Sequence, residues 1–114
     1  MADKTNFQLK VHLGLLWLQK KDYQATVSVQ ITDTCYHEVD LKVGLPPGTV
    51  GVPEILYLTY TFTHDSGKLC GDVVRTVKKS IKIQFSDATP TVTAYAVVNG
   101  QVAGSDTKLF PKSK

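Results

Sequence analysis

The sequence holds few of the features that identify an enzyme, a membrane protein or a nucleic-acid-binding protein. Two cysteines and one tryptophan occur among its 114 residues. The longest apolar run, residues 13–18, is much too short to cross a bilayer as a helix. The glycines stand singly, so the glycine-rich loop that cradles phosphate groups is missing. The net charge of +3 is small, and the lysines form no dense basic stripe. We therefore expect no nucleic-acid partner and no insertion into a membrane.

The composition and the chain ends favour one globular domain. Hydrophobic residues make up 42% of the chain and charged residues 20%, a balance that supports a folded core rather than disorder. We expect a single domain over residues 1–114, with frayed tails at 1–6 and 111–114. Residues 1–6 are polar and lack the apolar segment of a signal peptide. A cytoplasmic protein and the mature form of a secreted or periplasmic protein both fit this sequence.

Alternation of apolar and polar side chains is the strongest pattern in the sequence. Successive side chains of a strand point to opposite faces, so alternation predicts strands with one apolar and one polar face. One such segment places Ala25, Val27, Val29 and Ile31 between polar residues. Similar segments cover residues 7–13, 39–45, 56–62, 81–85 and 92–98.

Turn-forming residues separate these segments at regular intervals. Asn99 and Gly100 both accept the positive φ of a two-residue type I′ hairpin turn. About seven strands with this spacing predict an all-β fold, an antiparallel β-sandwich. With their alternation and central turn, residues 91–110 resemble the final strand pair of immunoglobulin-like or fibronectin-III-like modules. The resemblance implies a sandwich of that kind and carries over no functional residue.

Two segments fit the pattern less well. Residues 13–21 have apolar side chains at helical as well as strand spacing, and we prefer a strand that continues from Phe7. In residues 72–85, Arg75 and Lys79 fall on the phase that should face the core. A bulge or a break near residues 78–79 would restore the pattern, so this stretch is either one strand or two.

The two cysteines fall in loops that are expected to meet. If the strands run up and down, the loop after Ile31, the loop after Phe62 and the Asn99 hairpin lie at the same end of the sandwich. Three interpretations of Cys35 and Cys70 stay open: a disulfide, which we prefer, two free thiols, or a metal site. The metal hypothesis uses a ligand set of one sulfur and one imidazole from each loop, namely Cys35, His37, His64 and Cys70.

No catalytic arrangement stands out. Cys35, His64 and Asp65 supply the residue types of a nucleophile, a base and an orienting acid, but the strand-to-helix elbow that presents many nucleophiles is missing. We therefore expect a protein that is not an enzyme and that carries no cofactor.

The function that we predict is recognition of a protein or a carbohydrate through loops on a rigid scaffold. The candidate contact residues are Asp33, Tyr36, His37, His64, Asp65, Asn99 and Gln101 at the loop end, with Tyr57 and Tyr95 on an outer face. The alternatives are a carrier that holds a small apolar ligand between the sheets and the metal or thiol site described above. Free strand edges allow a monomer or a dimer paired edge to edge.

Overall fold

The computed structural model describes residues 7–111, and these form seven β-strands in two sheets. The strands are β1 (Lys10–Gln19), β2 (Asp22–Asp33), β3 (Tyr36–Val43), β4 (Ile55–His64), β5 (Asp72–Gln84), β6 (Thr91–Val98) and β7 (Gln101–Leu109). No helix in the described range is long and apolar enough to span a membrane. The predicted all-β fold of seven strands is confirmed. Of the predicted tails at 1–6 and 111–114, residues 1–6 and 112–114 lie outside the described residues, and the Pro111 carbonyl accepts a hydrogen bond from the Tyr23 hydroxyl at 2.6 Å.

The alternating pattern places one face of each central strand in a shared core. One sheet has the order β1-β2-β5 and the other the order β3-β4-β6-β7. In β2 every second residue is buried, from Tyr23 to Ile31. These side chains pack against fully buried residues of the other sheet, including Leu58, Tyr60 and Val92. Period-two alternation thus produces the interior of a two-layer sandwich.

The sandwich is not antiparallel throughout, and this corrects the prediction. Strands β4 and β6 are parallel neighbours, in a register that runs from Ile55↔Thr91 to Phe62↔Val98. Parallel neighbours need a long connection, and here β5 provides it by crossing to the other sheet between them. Immunoglobulin domains consist of two antiparallel sheets. Two packed β-sheets are therefore established, but the immunoglobulin or fibronectin-III type is not.

Both ambiguous segments form regular strands. Residues 13–19 continue β1 as predicted. Strand β5 is one strand without a break, and its register irregularity with β2 lies between Ile31 and Asp33 rather than near residues 78–79. Arg75 and Lys79 keep their inward phase opposite Ile31 and Val27, yet both are exposed. They escape burial because β5 is an edge strand, where the facing sheet covers the inner side only in part.

The two sheets meet closely along one margin and stay open along the other. On the closed margin, the Leu9 amide donates to the Ala103 carbonyl at 2.9 Å, and the Leu13 amide donates to the Asp106 carboxylate at 2.8 Å. Gly104 permits this approach, because a side chain there would strike the Leu9 backbone. On the open margin, between β3 and β5, two clefts of about 300 and 480 Å³ are lined by residues of both sheets.

Candidate functional site

The three predicted loops do meet at one end of the sandwich. We call this the loop end, formed by residues 32–37, 64–71 and 99–101. The side chain of Asn99 joins two of the loops, since its oxygen accepts from the His64 amide at 3.0 Å and its nitrogen donates to the His64 carbonyl at 3.1 Å. Asn99 and Gly100 adopt φ angles of 50° and 82°, as a type I′ turn requires.

A disulfide between Cys35 and Cys70 links the loop of residues 32–37 to the loop of residues 64–71. Their Cα atoms are 5.6 Å apart, within the usual range for this bond. Backbone hydrogen bonds flank it, from Thr34 to the Gly71 carbonyl and from Asp65 to the Cys35 carbonyl, both at 3.1 Å. The predicted disulfide is thus present and consumes both thiols. The loop end is therefore cross-linked covalently as well as by hydrogen bonds.

His64 lies at the centre of the loop end. Its Nε2 atom is 2.9 and 3.0 Å from the two carboxylate oxygens of Asp33, and its Nδ1 atom is 2.8 Å from the Ser66 hydroxyl. The ring packs on Tyr36 and Phe7, with centroid distances of 4.5 and 5.2 Å. Only 9% of the His64 side chain is exposed. Predicted as a contact residue, His64 instead has both ring nitrogens engaged inside the protein.

The environment of Asp33 keeps its carboxyl group ionised. Burial alone would raise the pKa of Asp33, but hydrogen bonds from His64 and from the Cys35 amide outweigh it and lower the pKa below its ordinary value. The Cys35 amide donates to the carboxylate at 2.8 Å. Asp33 therefore holds both the disulfide-bearing turn and the histidine ring.

The catalytic triple considered in the sequence does not assemble. Cys35 is bonded to Cys70, and Asp65 lies beside His37 and Lys68, each at 3.5 Å, rather than behind His64. Ser66, His64 and Asp33 do form a hydrogen-bonded chain, but Ser66 lies on an exposed turn and lines none of the clefts described above. This chain organises the loop, and the absence of catalysis stays a prediction.

The four predicted metal ligands are not brought together as one set. His37 is drawn to Asp65, 3.5 Å away on the exposed side of the loop. A different group converges instead: Asp33, His64 and Cys70 each offer one donor atom, and these atoms all lie within 4.8 Å of one another. The group that converges therefore contains Asp33 in place of His37, and Cys35 is joined to it through the disulfide with Cys70.

The predicted aromatic contacts are largely used inside the protein. Tyr36 is buried in the core. Tyr57 and Tyr95 stack with a centroid distance of 6.1 Å, and the Tyr57 hydroxyl accepts a hydrogen bond from the Val52 amide at 3.0 Å. Gly51 is needed under this loop because a larger residue would meet the Tyr57 ring. The two rings thus support the loop at residues 44–54, while Gln101 and Asn99 remain exposed at the other end.

An exposed apolar surface lies at the opposite end, and the sequence analysis missed it. Leu16, Trp17 and Leu18 are consecutive residues near the β1–β2 turn, and they are 60%, 40% and 44% exposed. We call them the hairpin patch. The signal was the apolar run at 13–18, because side chains that are apolar in both strand phases cannot all face one core. That run was considered as a membrane span, a short helix and, by preference, a strand, but its leucines were not proposed as an exposed surface.

Local backbone geometry presents the hairpin patch. Trp17 pairs with Tyr23 and Gln19 pairs with Asp22, which leaves Leu18 as the extra residue of a bulge. The Trp17 indole nitrogen donates to the Lys20 carbonyl at 2.9 Å, and Lys20 adopts a positive φ of 49°. The indole hydrogen bond restrains the Trp17 ring, and the bulge sets Leu18 apart from the regular strand register.

The charge beside the hairpin patch is positive. Lys20 and Lys21 form the turn, both are exposed, and neither has an ion-pair partner within residues 7–111. The nearest acidic residue along the chain, Asp22, is engaged by Lys82 at 3.5 Å. The patch thus combines apolar side chains with two free ammonium groups.

Comparison with known proteins gave no match to a protein family model, to a curated protein or to a solved structure.

Proposed function

We propose that this protein is a non-catalytic recognition module that binds a protein partner through the hairpin patch. The observation that carries the proposal is the run of three consecutive exposed apolar side chains, Leu16 to Leu18. Soluble proteins rarely leave such a run uncovered unless it has a function, because water penalises each apolar surface. Covering the patch with a partner would recover that free energy.

The residue types of the patch suit a binding hot spot. Tryptophan is enriched among the residues that dominate protein–protein affinity. Its large rigid ring contributes apolar area at a small cost in side-chain entropy, and here a hydrogen bond to Lys20 already restrains it. A surface that is ordered before binding loses less entropy when the partner arrives.

The positive charges beside the hairpin patch favour a partner whose binding surface is acidic. The turn lysines, Lys20 and Lys21, form a basic rim beside the apolar patch. Complementary charge at an interface speeds association and selects among partners. We therefore propose a protein that presents an apolar pocket bordered by aspartate or glutamate. Carbohydrate is the less favoured ligand, because, of the predicted contact tyrosines, Tyr36 is buried and Tyr57 and Tyr95 support the loop at residues 44–54.

The loop end is a second candidate surface. Its exposed loop carries Leu69, which is entirely exposed, beside Lys68 and Cys70. The disulfide and the His64 network hold this loop rigidly, as a presented binding loop requires. The likeness of β6 and β7 to immunoglobulin-like modules supports a recognition role by analogy alone. An apolar-ligand carrier remains the third candidate, with the clefts between β3 and β5 as its entry.

A display experiment tests the proposal. A random peptide library is selected on the immobilised protein, and the enriched peptides are measured against L16S/L18S, W17S, V74S and L69S variants. Val74 is 68% exposed and lies in the part of β5 that is near the loop end, so V74S is the matched control for losing an exposed apolar side chain. We expect peptides that combine apolar and acidic residues, with affinities reduced about tenfold or more by the patch variants only.

Three results would contradict this assignment. Peptides that respond to L69S but not to the patch variants would move the binding surface to the loop end. Binding that no variant affects would remove both surfaces. Sedimentation of the wild-type protein with vesicles of anionic phospholipid, lost in L16S/L18S, would identify the occupant of the patch as a membrane surface instead of a protein.

A further inference from the structure

Four metal-binding groups lie together at the loop end, which is remote from the hairpin patch. Donor atoms of Asp33, His64 and Cys70 lie within 4.8 Å of one another, and Cys35 is bonded directly to Cys70. Ligand atoms around a tetrahedral zinc ion are separated by roughly 3.3–3.8 Å, given its bond lengths of about 2.0–2.3 Å. The donor atoms of Asp33, His64 and Cys70 therefore lie close to the spacing of a zinc coordination shell, and Cys35 would supply the fourth atom once its bond to Cys70 is broken.

We propose that reduction of the Cys35–Cys70 disulfide creates a zinc site whose ligands are Cys35, Cys70, His64 and Asp33. A dithiol supplies two electrons and two protons, the sulfur–sulfur bond breaks, and the dithiol itself becomes a disulfide. Zinc then displaces the proton of each new thiol, since the thiolate is the form that binds metal. The oxidised protein holds these loops by a covalent bond, and the reduced protein holds them by the metal.

The surroundings of His64 can adapt to this role. In the oxidised protein Nε2–H donates to Asp33, so zinc would take the place of that proton, and the Nδ1–H tautomer would then donate to the Ser66 hydroxyl, which lies 2.8 Å from Nδ1. Histidines that bind metals commonly have their second nitrogen fixed in this way. Nε2 is also the nitrogen that faces Asp33, at 2.9 Å from Oδ2.

Asp33 is also prepared as a ligand. Its Oδ1 atom accepts from the Cys35 amide at 2.8 Å, which fixes the carboxylate beside the cysteine that it would join on the metal. Cys35 and His64 are almost completely shielded from water, and Asp33 and Cys70 are partly buried. Shielding strengthens the attraction between the zinc ion and three charged ligands.

Zinc binding by oxidised and reduced protein tests the proposal. The protein is reduced with a phosphine, freed of reductant without air, and titrated with zinc in competition with a chromophoric chelator. We expect one zinc ion per chain in the reduced form and no comparable binding in the oxidised form. Cobalt added in place of zinc should give the absorption of a tetrahedral site with thiolate charge transfer.

A matched pair of variants identifies the ligands. His37 lies on the same end but faces Asp65, so H37A should bind zinc like the wild type, whereas D33N should bind about tenfold or more weakly. Unfolding of the reduced protein that zinc reverses would support the site. Reduced protein that binds no more zinc than oxidised protein would overturn it, as would a loss of affinity in H37A with none in D33N.

Discussion

At the scale of single residues, His64 does the most to hold the loop end together. It contacts Asp33 and Ser66 through its two nitrogens and packs on Tyr36 with its ring. The sequence placed both His64 and Asp33 at one end of the sandwich, but it took Asp65 rather than Asp33 as the acid that orients His64. That choice depends on the pairing of β3 with β4, which sets Tyr36 opposite His64.

Replacing Asp33 by asparagine should destabilise the protein by about 1–2 kcal/mol near neutral pH, because charge-assisted hydrogen bonds are lost. The pKa of Asp33 is lower in the folded protein than its ordinary value of 3.8. Its contribution is therefore present above about pH 4 and lost as the pH falls through the lowered pKa. Urea unfolding of both proteins between pH 2 and 7 measures this. If the difference in unfolding free energy between the wild-type protein and D33N stays constant over this range, the prediction is wrong.

Tyr60 should make stability depend on alkaline pH. Burial and then the hydrogen bond from its hydroxyl to the Glu38 carboxylate raise the pKa of Tyr60 well above its ordinary 10.0. The stabilisation that Tyr60 contributes to the fold is therefore fully present below pH 10, and it is lost as the pH rises through the pKa of Tyr60 in the folded protein. We expect Y60F to cost about 1 kcal/mol at neutral pH and to weaken the alkaline loss of stability. Chemical denaturation measures the free energy of unfolding of both proteins. An equal decline of this free energy in the wild-type protein and Y60F above pH 10 would refute the prediction.

At the scale of elements, β5 explains why charged residues occupy an inward phase. The sequence alone indicated that Arg75 and Lys79 required a bulge or a break in the strand. Strand alternation reports the face of a residue but not whether its strand is central or at an edge. At the edge, inward-pointing charges discourage pairing with the strands of other molecules.

Removing one of these charges should promote self-association. K79V places an apolar side chain on the inner face of the β5 edge, while K78V changes the outward-facing neighbour, which pairs with Ser28. We expect concentration-dependent dimers of K79V in sedimentation velocity, with the wild-type protein and K78V monomeric under the same conditions. Identical sedimentation of the two variants would show that inward charge is not the protective feature.

At the scale of the whole molecule, the sequence predicted where the strands lie along the chain better than it predicted which strands pair with each other. Alternation located the apolar faces, and the Asn99 turn located the last hairpin. The parallel pairing of β4 with β6 was not predictable in the same way, because it depends on β5 leaving their sheet. The hairpin patch was missed for a related reason: its exposure depends on where the other sheet ends.

The disulfide should account for a large part of the stability of the molecule. Cys35 and Cys70 are 35 residues apart, and closing a loop of this length contributes about 3–4 kcal/mol in the chain-entropy model. We expect C35S/C70S to lose that amount of unfolding free energy in the presence of a metal chelator. Denaturant unfolding at 25 °C measures it, with reduced wild-type protein as a control. A loss below about 1 kcal/mol would mean that the hydrogen bonds alone fix the loop end.

The molecule thus has two unlike ends, one cross-linked through Cys35 and Cys70 and the other presenting Leu16, Trp17 and Leu18 to solvent. The central claim is that the second end is uncovered in the free protein and available for recognition. Because Trp17 is the one tryptophan of the chain, its fluorescence reports on this patch alone.

Quenching of Trp17 fluorescence by acrylamide is the most direct test. The experiment uses dilute protein, so that any self-association is minimal, and compares the native protein with the chain unfolded in denaturant. Because Trp17 is 40% exposed, our account predicts that acrylamide quenches it in the native protein at a substantial fraction of the rate in the unfolded chain, and that a selected peptide protects it. Strong protection in the dilute native protein without any partner would contradict the account, because the proposed recognition surface would already be covered.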